Sequence, residues 1–161
     1  MEANDIYFEG KYKVISHETA LIARIKNFNL PTLHVYNEEG EIAEDEIWDY
    51  VYLGEGGMKL DEWFCKFNQK PQENGKWFIS APTQDQLKTW LREKHDIIVE
   101  IHVANTNDPM DYLCTVKKLD KNGHWYTKYR TKEEIGYSGT KEKLSYEDTL
   151  EEGLFKALSF L

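Results

Sequence analysis

The residues best suited to catalysis or metal binding in this chain are five histidines and two cysteines. The histidines are His17, His34, His95, His102 and His124. None of them forms an H-x-x-x-H or H-E-x-x-H motif, so no helix is predicted to present two metal ligands on one face. Glu100 and His102 share a predicted strand face and would need His124 from an adjacent strand to hold a metal. We therefore predict no metal site, and a metal-dependent hydrolase is only an alternative.

Other catalytic motifs are also missing from the sequence. The glycine-rich stretch "GEGG" at residues 54–57 lacks the Gly-Lys-Ser/Thr ending of a phosphate-binding loop, and the chain has no G-x-S-x-G motif. Cys65 and Cys114 have no C-x-x-C spacing and no neighbouring base in the sequence. We predict no catalytic residues and no cofactor, and hence a protein that acts by binding.

A basic hairpin is the first candidate binding surface. The stretch "YLCTVKKLDKNGHWYTKYR" contains two β-prone runs around Asn122-Gly123, a dipeptide that favours a two-residue type I′ turn. If Lys121 pairs with His124 across this turn, Lys117 lies opposite Lys128. The apolar face then contains Tyr112, Cys114, Val116, Trp125, Thr127 and Tyr129.

The opposite face of the hairpin is predicted to bind an anion. Lys117, Tyr126, Lys128 and Arg130 share this face, and they combine cations with a stacking ring, as nucleotide or single-strand binding requires. A like-charge pair across two strands costs stability, so an anion, Glu100 or an acidic part of the chain should compensate it. The predicted ligand is small, because a chain of net charge -9 repels duplex DNA.

An acidic segment at residues 38–62 is the second candidate surface. It contains ten acidic residues and one basic residue, Lys59, so it accounts for the whole net charge of the chain. Its aromatic residues lie among carboxylates, which would suit an inhibitor that mimics nucleic acid and binds a basic partner protein. The residues proposed for that contact are Glu44, Asp45, Glu46, Trp48 and Asp49. The alternative is an acidic hairpin that keeps the protein soluble.

The elements that would position these surfaces predict an α+β fold, an antiparallel sheet with about three helices mainly on one face. Ser16, Thr83 and Ser145 are predicted caps of helices 17–28, 84–95 and 146–160. Leu21, Ile25 and Phe28 form the predicted buried stripe of the first helix. In the third, Gly153 lies on the apolar side, which predicts a close approach of another element there.

Length and composition predict one domain over residues 1–161, with 40% hydrophobic and 30% charged residues. The first residues lack the basic and apolar regions of a secretory signal, and no apolar run reaches the roughly 18 residues that span a bilayer. Two cysteines suit a reducing compartment. We therefore expect a cytoplasmic protein without membrane contact, whose partner is a protein or a small anion.

Two stretches resemble a known family. "APTQDQLKTWLREKHDIIVEI" and "SYEDTLEEGLFKALSFL" are similar to the "APTQ…L…WLRE.H.I" block and the "YE.AL..GL..AL" helix of small uncharacterised proteins from gut-anaerobe chromosomes and their phages. The resemblance covers roughly the C-terminal half and "VISHETA" near the start. It implies a mobile-element accessory protein and no particular chemistry.

Overall fold

The computed structural model describes residues 13–30, 32, 34–42, 79–105, 108–131 and 145–161. These residues form three helices and five strands in a mixed α+β arrangement, which confirms the predicted fold class. In chain order the elements are α1 (His17–Ile25), β1 (His34–Tyr36), β2 (Ile79–Ala81), α2 (Gln84–His95), β3 (Ile97–Asn105), β4 (Asp108–Leu119), β5 (Trp125–Arg130) and α3 (Tyr146–Leu158).

The strands form two antiparallel sheets where one was predicted. β1 pairs with β2, while β3, β4 and β5 form a meander in sequence order. Helix α3 lies across β3 and β4, α2 packs on β3 and α3, and α1 packs on β2 and α3. Among the described residues, no helix has the length and apolar character that crossing a membrane requires.

Helix α2 has the predicted bounds because both of its ends are specified locally. The Thr83 hydroxyl accepts a hydrogen bond from the Gln86 amide, and the Gln86 side chain accepts one from the Thr83 amide, which completes the capping box. Asp96 ends the helix in the left-handed region, at φ 54°. Leu87, Trp90 and Leu91 are buried, as the apolar stripe predicted.

Helix α1 buries a different face from the predicted one. It ends at Ile25, and its buried residues are Thr19, Ala20 and Ala23. Ile25 is 74% exposed and Leu21 38% exposed, so the predicted stripe is wrong for these two residues. Small side chains let α1 pack closely through its alanine face, which the spacing of large apolar residues does not reveal.

Helix α3 lies unusually close to the sheet at Gly153, which confirms the approach predicted there. A β-carbon at Gly153 would lie 2.6 Å from Cys114 Sγ and 2.7 Å from Val99 Cγ1. Leu150 and Leu154, on the same side of the helix, are buried. The absence of a side chain at Gly153 therefore sets the distance between α3 and the β3–β4 pair.

The carboxylate of Glu151 connects α3 to the beginnings of the other two helices. Its Oε1 accepts hydrogen bonds from the Ser16 amide at 2.8 Å and the Thr19 hydroxyl at 2.5 Å. Its Oε2 accepts one from Gln84 Nε2 at 3.1 Å. An anion near a helix N-terminus is stabilised by the helix dipole, and here one carboxylate serves α1 and α2 together.

The stretch "LHVYNEEGEIA" predicts a hairpin with its turn from Asn37 to Gly40, and the structure confirms this turn. The Gly40 amide donates to the Asn37 carbonyl, Gly40 has φ +79°, and Tyr36 forms a bridge with Ile42 across the turn. Two further stretches are β-prone: "IYFEGKYKVI" predicts a hairpin and residues 47–53 predict a strand. The first falls mostly outside the described residues, and the second falls wholly outside them.

Gly153→Ala should destabilise the fold, because the new methyl group overlaps Cys114 and Val99. Overpacking of this kind costs about 1–3 kcal/mol, and the better helix propensity of alanine recovers about 1 kcal/mol or less. Denaturant unfolding of the single variants and of Gly153→Ala/Cys114→Ala should show a favourable coupling, since removing Sγ relieves part of the overlap. A single variant as stable as the wild type would contradict the close approach.

The surroundings of His95, in the last turn of α2, disfavour its protonated form. Its ring packs against Trp90 at 4.3 Å between centroids, and its Nε2 is buried without a hydrogen-bond partner among the described residues. Burial, and secondly the positive charge of Lys118, lower the pKa of His95 from 6.5, against a smaller opposing effect of Asp96. The helix dipole favours the protonated form of His95, but the combined effect of burial and of Lys118 on its pKa is larger.

The lowered pKa of His95 predicts that stability falls as the pH drops below about 6.5. Unfolded His95 then binds a proton that the folded state does not, so protons favour unfolding. Melting temperatures from pH 7.5 to 5.5 should decline less steeply in His95→Leu than in the wild type. His124→Leu is the control, because the side chain of His124 is 80% exposed; equal slopes in all three proteins would rule out this effect of His95.

Candidate ligand-binding surface

The β4–β5 hairpin is the most basic part of the described chain. Residues 112–131 contain five basic residues and one acidic residue, Asp120, a net charge of +4 in a chain of -9. The basic residues are Lys117, Lys118, Lys121, Lys128 and Arg130. What these cations can bind depends on which face of the sheet each one occupies.

The turn of this hairpin is one residue longer than predicted. Asp120 pairs with His124, and Lys121, Asn122 and Gly123 form the loop. The Asp120 carboxylate accepts hydrogen bonds from the amides of Asn122 and His124, both at 2.8 Å, and only Gly123 has a positive φ, +82°. Aspartate at the first position and glycine at the fourth favour a type I turn, so the predicted two-residue type I′ turn is wrong.

Because the turn is longer, β4 and β5 pair in a different register from the predicted one between the turn and a bulge at Lys128. Near the turn, Lys117 pairs with Thr127 and Lys118 with Tyr126, whereas Val116 pairs with Tyr129 as predicted. The predicted pairing of Lys117 with Lys128 is therefore wrong. Lys128 is the extra residue of β5, and the bulge exchanges the faces predicted for Trp125 and Tyr126.

Two of the predicted anion-binding residues, Lys117 and Arg130, lie on the sheet face that points away from α3. Lys117 Nζ forms an ion pair with Glu100 Oε2 at 2.6 Å, and His102 Nε2 lies 3.5 Å from the same oxygen. Arg130 is exposed, opposite Thr115. Glu100 compensates Lys117 from the neighbouring strand, so this lysine does not need an external anion.

The other two predicted residues, Tyr126 and Lys128, lie together beside the C-terminal end of α3. Lys128 Nζ lies 4.8 Å from the centroid of the Tyr126 ring and 6.0 Å from that of Phe160. Lys118 Nζ donates a hydrogen bond to the Phe160 carbonyl at 3.0 Å. We refer to Lys118, Tyr126, Lys128 and Phe160 as the Lys128 cluster.

A second group of aromatic and charged residues continues along the same seam between β5 and α3. Lys156 Nζ lies 5.8 Å from the ring centroid of Tyr129, whose hydroxyl donates a short hydrogen bond to Glu152. Burial and the Glu152 carboxylate raise the pKa of Tyr129 to about 12. The tyrosine therefore stays protonated and serves as a hydrogen-bond donor that fixes α3 against β5.

The geometry of the described residues gives no support to catalysis by histidine or cysteine. Within these residues, no three histidine, cysteine, aspartate or glutamate side chains are close enough to hold a metal. His124 lies opposite Asp120 at the turn, far along the hairpin from Glu100 and His102. Cys114 is buried, and burial raises the pKa of its thiol to about 11, which leaves it a poor nucleophile.

The proposed partner-binding residues of the acidic segment, Glu44, Asp45, Glu46, Trp48 and Asp49, lie outside the described residues, as does Cys65. Sequence reasoning missed Lys118 and Phe160 as members of the candidate surface. Lys118 was missed because its position in β4 puts it on the face that the sequence assigns to apolar side chains. The position of Phe160 off the apolar stripe of α3 predicts that it covers the edge of the sheet or meets another subunit, but does not place it beside Lys128. A large aromatic residue off such a stripe is nevertheless a signal that a second surface is being covered.

Comparison with known proteins adds no relative. The chain matches no protein-family model, no curated protein and no solved structure. The candidate surface therefore has to be interpreted from its own geometry.

Replacing Glu100 by glutamine should destabilise the protein slightly, by up to about 1 kcal/mol, because the Lys117 side chain is one-third exposed and such pairs are weak. The loss should shrink from low to high salt, since exposed ion pairs are screened. Urea unfolding at 20 mM and 1 M salt would measure this loss of stability. Glu93→Gln on α2 is the control, because Glu93 lies 3.6 Å from Arg92 and is well exposed. A salt-independent loss would show that the Glu100–Lys117 contact is not electrostatic.

Proposed function

We propose that this protein acts by binding and that the Lys128 cluster binds a small anionic ligand with an aromatic ring, such as a nucleotide. The observation that carries the proposal is the position of Lys128 Nζ, 4.8 Å from the exposed ring of Tyr126, on the most basic hairpin of the described chain. Lys128 Nζ lies over one face of the Tyr126 ring, so the ammonium group is placed to contact a phosphate while the exposed part of the ring is placed to stack on a base.

The accessible ring is one part of the argument. Tyr126 is 40% exposed although it is a large aromatic residue. Stacking of a base on such a ring contributes about 1–3 kcal/mol and tolerates any base, because every base has a π-face. This geometry therefore favours recognition of nucleotides as a class over recognition of one particular base.

The balance of charge is the other part. Glu100 neutralises Lys117, but within the part of the chain described here no carboxylate pairs with Lys128. Lys118 contributes a second positive charge nearby, with its Nζ on the Phe160 carbonyl. A ligand phosphate would bring the countercharge that the surrounding side chains do not supply.

The biological setting that we propose comes from the sequence resemblance alone, and it is an accessory protein of a phage or another mobile element. A protein partner is a further possibility within the same proposal. The hypothesis of an acidic nucleic-acid mimic depends on the segment at residues 38–62, whose proposed contact residues lie outside the described part, and no observed geometry favours it.

A thermal-shift experiment at low salt tests the binding proposal. Mononucleotides at a hundredfold excess over Kd should stabilise the wild type by about 2.7 kcal/mol, a rise in Tm of roughly 5–10 °C. Lys128→Gln and Tyr126→Ala should each reduce the shift severalfold. Lys121→Gln is the matched control, because it removes the same charge from the turn of the same hairpin and should preserve the shift.

Three results would contradict the proposal. If tripolyphosphate produced the same shift as nucleotides, and Tyr126→Ala did not reduce it, the surface would be a general anion attractor without base stacking. If Lys121→Gln and Lys128→Gln lost the shift equally, only the total charge of the hairpin would matter. No shift with any nucleotide would leave the cluster as packing that fixes the end of α3.

A further inference from the structure

A cleft lies at the β3 edge of the meander, opposite the β5 edge, between α2 and the outer side of β3. Its volume is about 240 Å³. It is lined by Asp85, Lys88, Thr89, Arg92, Ile98 and Val99. It shares no residue with the Lys128 cluster, so an inference drawn from it is independent of the function proposed above.

The floor of this cleft is an edge strand. Among the described strands, β3 pairs only with β4, so no described strand occupies its outer edge. The edge of a strand presents unpaired backbone amides and carbonyls, which an extended peptide can pair with by strand addition. Ile98 is only partly buried beside the cleft, and it offers an apolar contact to a side chain of such a peptide.

The wall of the cleft carries two cations at a spacing that suits an extended peptide. Lys88 and Arg92 are one turn apart on α2, about 6 Å along its axis. Side chains at alternate positions of a strand point the same way and are about 6.7 Å apart. Two carboxylates at positions i and i+2 of an extended peptide therefore match the separation of Lys88 and Arg92.

Both cations are available for such a contact. Within the described ranges Lys88 has no ion-pair partner, and Arg92 has only the exposed Glu93, 3.6 Å away. The Thr89 hydroxyl lies between them on the helix and adds a polar group. Asp85 lies at the other end of the cleft and would repel a third carboxylate, so the acidic positions of the peptide are confined to the Lys88–Arg92 end.

We propose that this cleft binds an extended acidic peptide segment of a partner protein. The segment adds to the outer edge of β3 as a strand, and two carboxylates at alternate positions contact Lys88 and Arg92. The charge of the wall selects the acidic side chains, and the backbone of β3 supplies the strand pairing.

Fluorescence anisotropy at low salt tests this proposal with a labelled peptide that has only two glutamates, at alternate positions of an otherwise valine-rich strand. The full-length protein should bind it at least tenfold more tightly than a peptide of the same composition with its glutamates adjacent. Lys88→Gln and Arg92→Gln should each weaken binding about tenfold. Lys94→Gln is the matched control, because Lys94 is on the same helix but does not line the cleft.

A peptide methylated on alternate backbone amides separates strand addition from charge attraction. A peptide methylated on the amides that face β3 should not bind. A peptide methylated on the remaining alternate amides, which face away from β3, should still bind. Equal binding of the two methylated peptides, equal loss in Lys94→Gln, or no binding of the alternating peptide would overturn the proposal. Self-association that rises with protein concentration and that Lys88→Gln abolishes, together with no binding of the peptide, would also overturn the proposal. A second copy of the chain would then occupy the edge.

Discussion

The close contact of α3 with the sheet at Gly153 is the constraint on which the other arrangements depend. Because no side chain separates Gly153 from Cys114 and Val99, the helix axis lies near the strands and its flanking leucines reach the core. This depth also places residues on both sides of Gly153. Glu151 comes within hydrogen-bond reach of Ser16 and Gln84, and Phe160 comes beside Lys128. One missing side chain thus determines both the helix packing and the geometry of the candidate surface.

The basic residues of the hairpin fall into two groups because of a single extra residue in β5. Lys117 lies on the face away from α3, where Glu100 neutralises it, while Lys128 lies with Tyr126 and Phe160. Without the bulge, Lys117 would lie opposite Lys128, and the two positive charges would repel each other. The bulge removes that repulsion and concentrates cations and rings at the end of α3, which makes the two faces of one hairpin chemically different.

Sequence reasoning succeeded where structure is determined locally and failed where it depends on packing between distant elements. The bounds of α2 follow from Thr83, Gln86 and Asp96 alone. The buried face of α1 does not, because its alanines gain their contacts from β2 and α3. The hairpin turn is an intermediate case. Asp120 and Gly123 favour the observed type I turn, but Asn122-Gly123 also favours a type I′ turn, which led to the wrong prediction. The α2–β3 cleft needs the relative placement of two elements, which no local pattern contains.

The Glu151 carboxylate also has a consequence for the order in which the fold is assembled. Its contacts with Ser16 and Thr19 join residues 135 and 132 positions apart, whereas the meander pairs neighbouring strands across short connections. Closing so long a loop has a large entropic cost, which the chain recovers only after the elements at both ends exist. The local contacts of the meander carry no such cost, so we expect the meander to form before the contacts that join α1, α2 and α3. Glu151 therefore holds together elements that lie far apart in the sequence, and its contacts belong to the longest-range part of the fold.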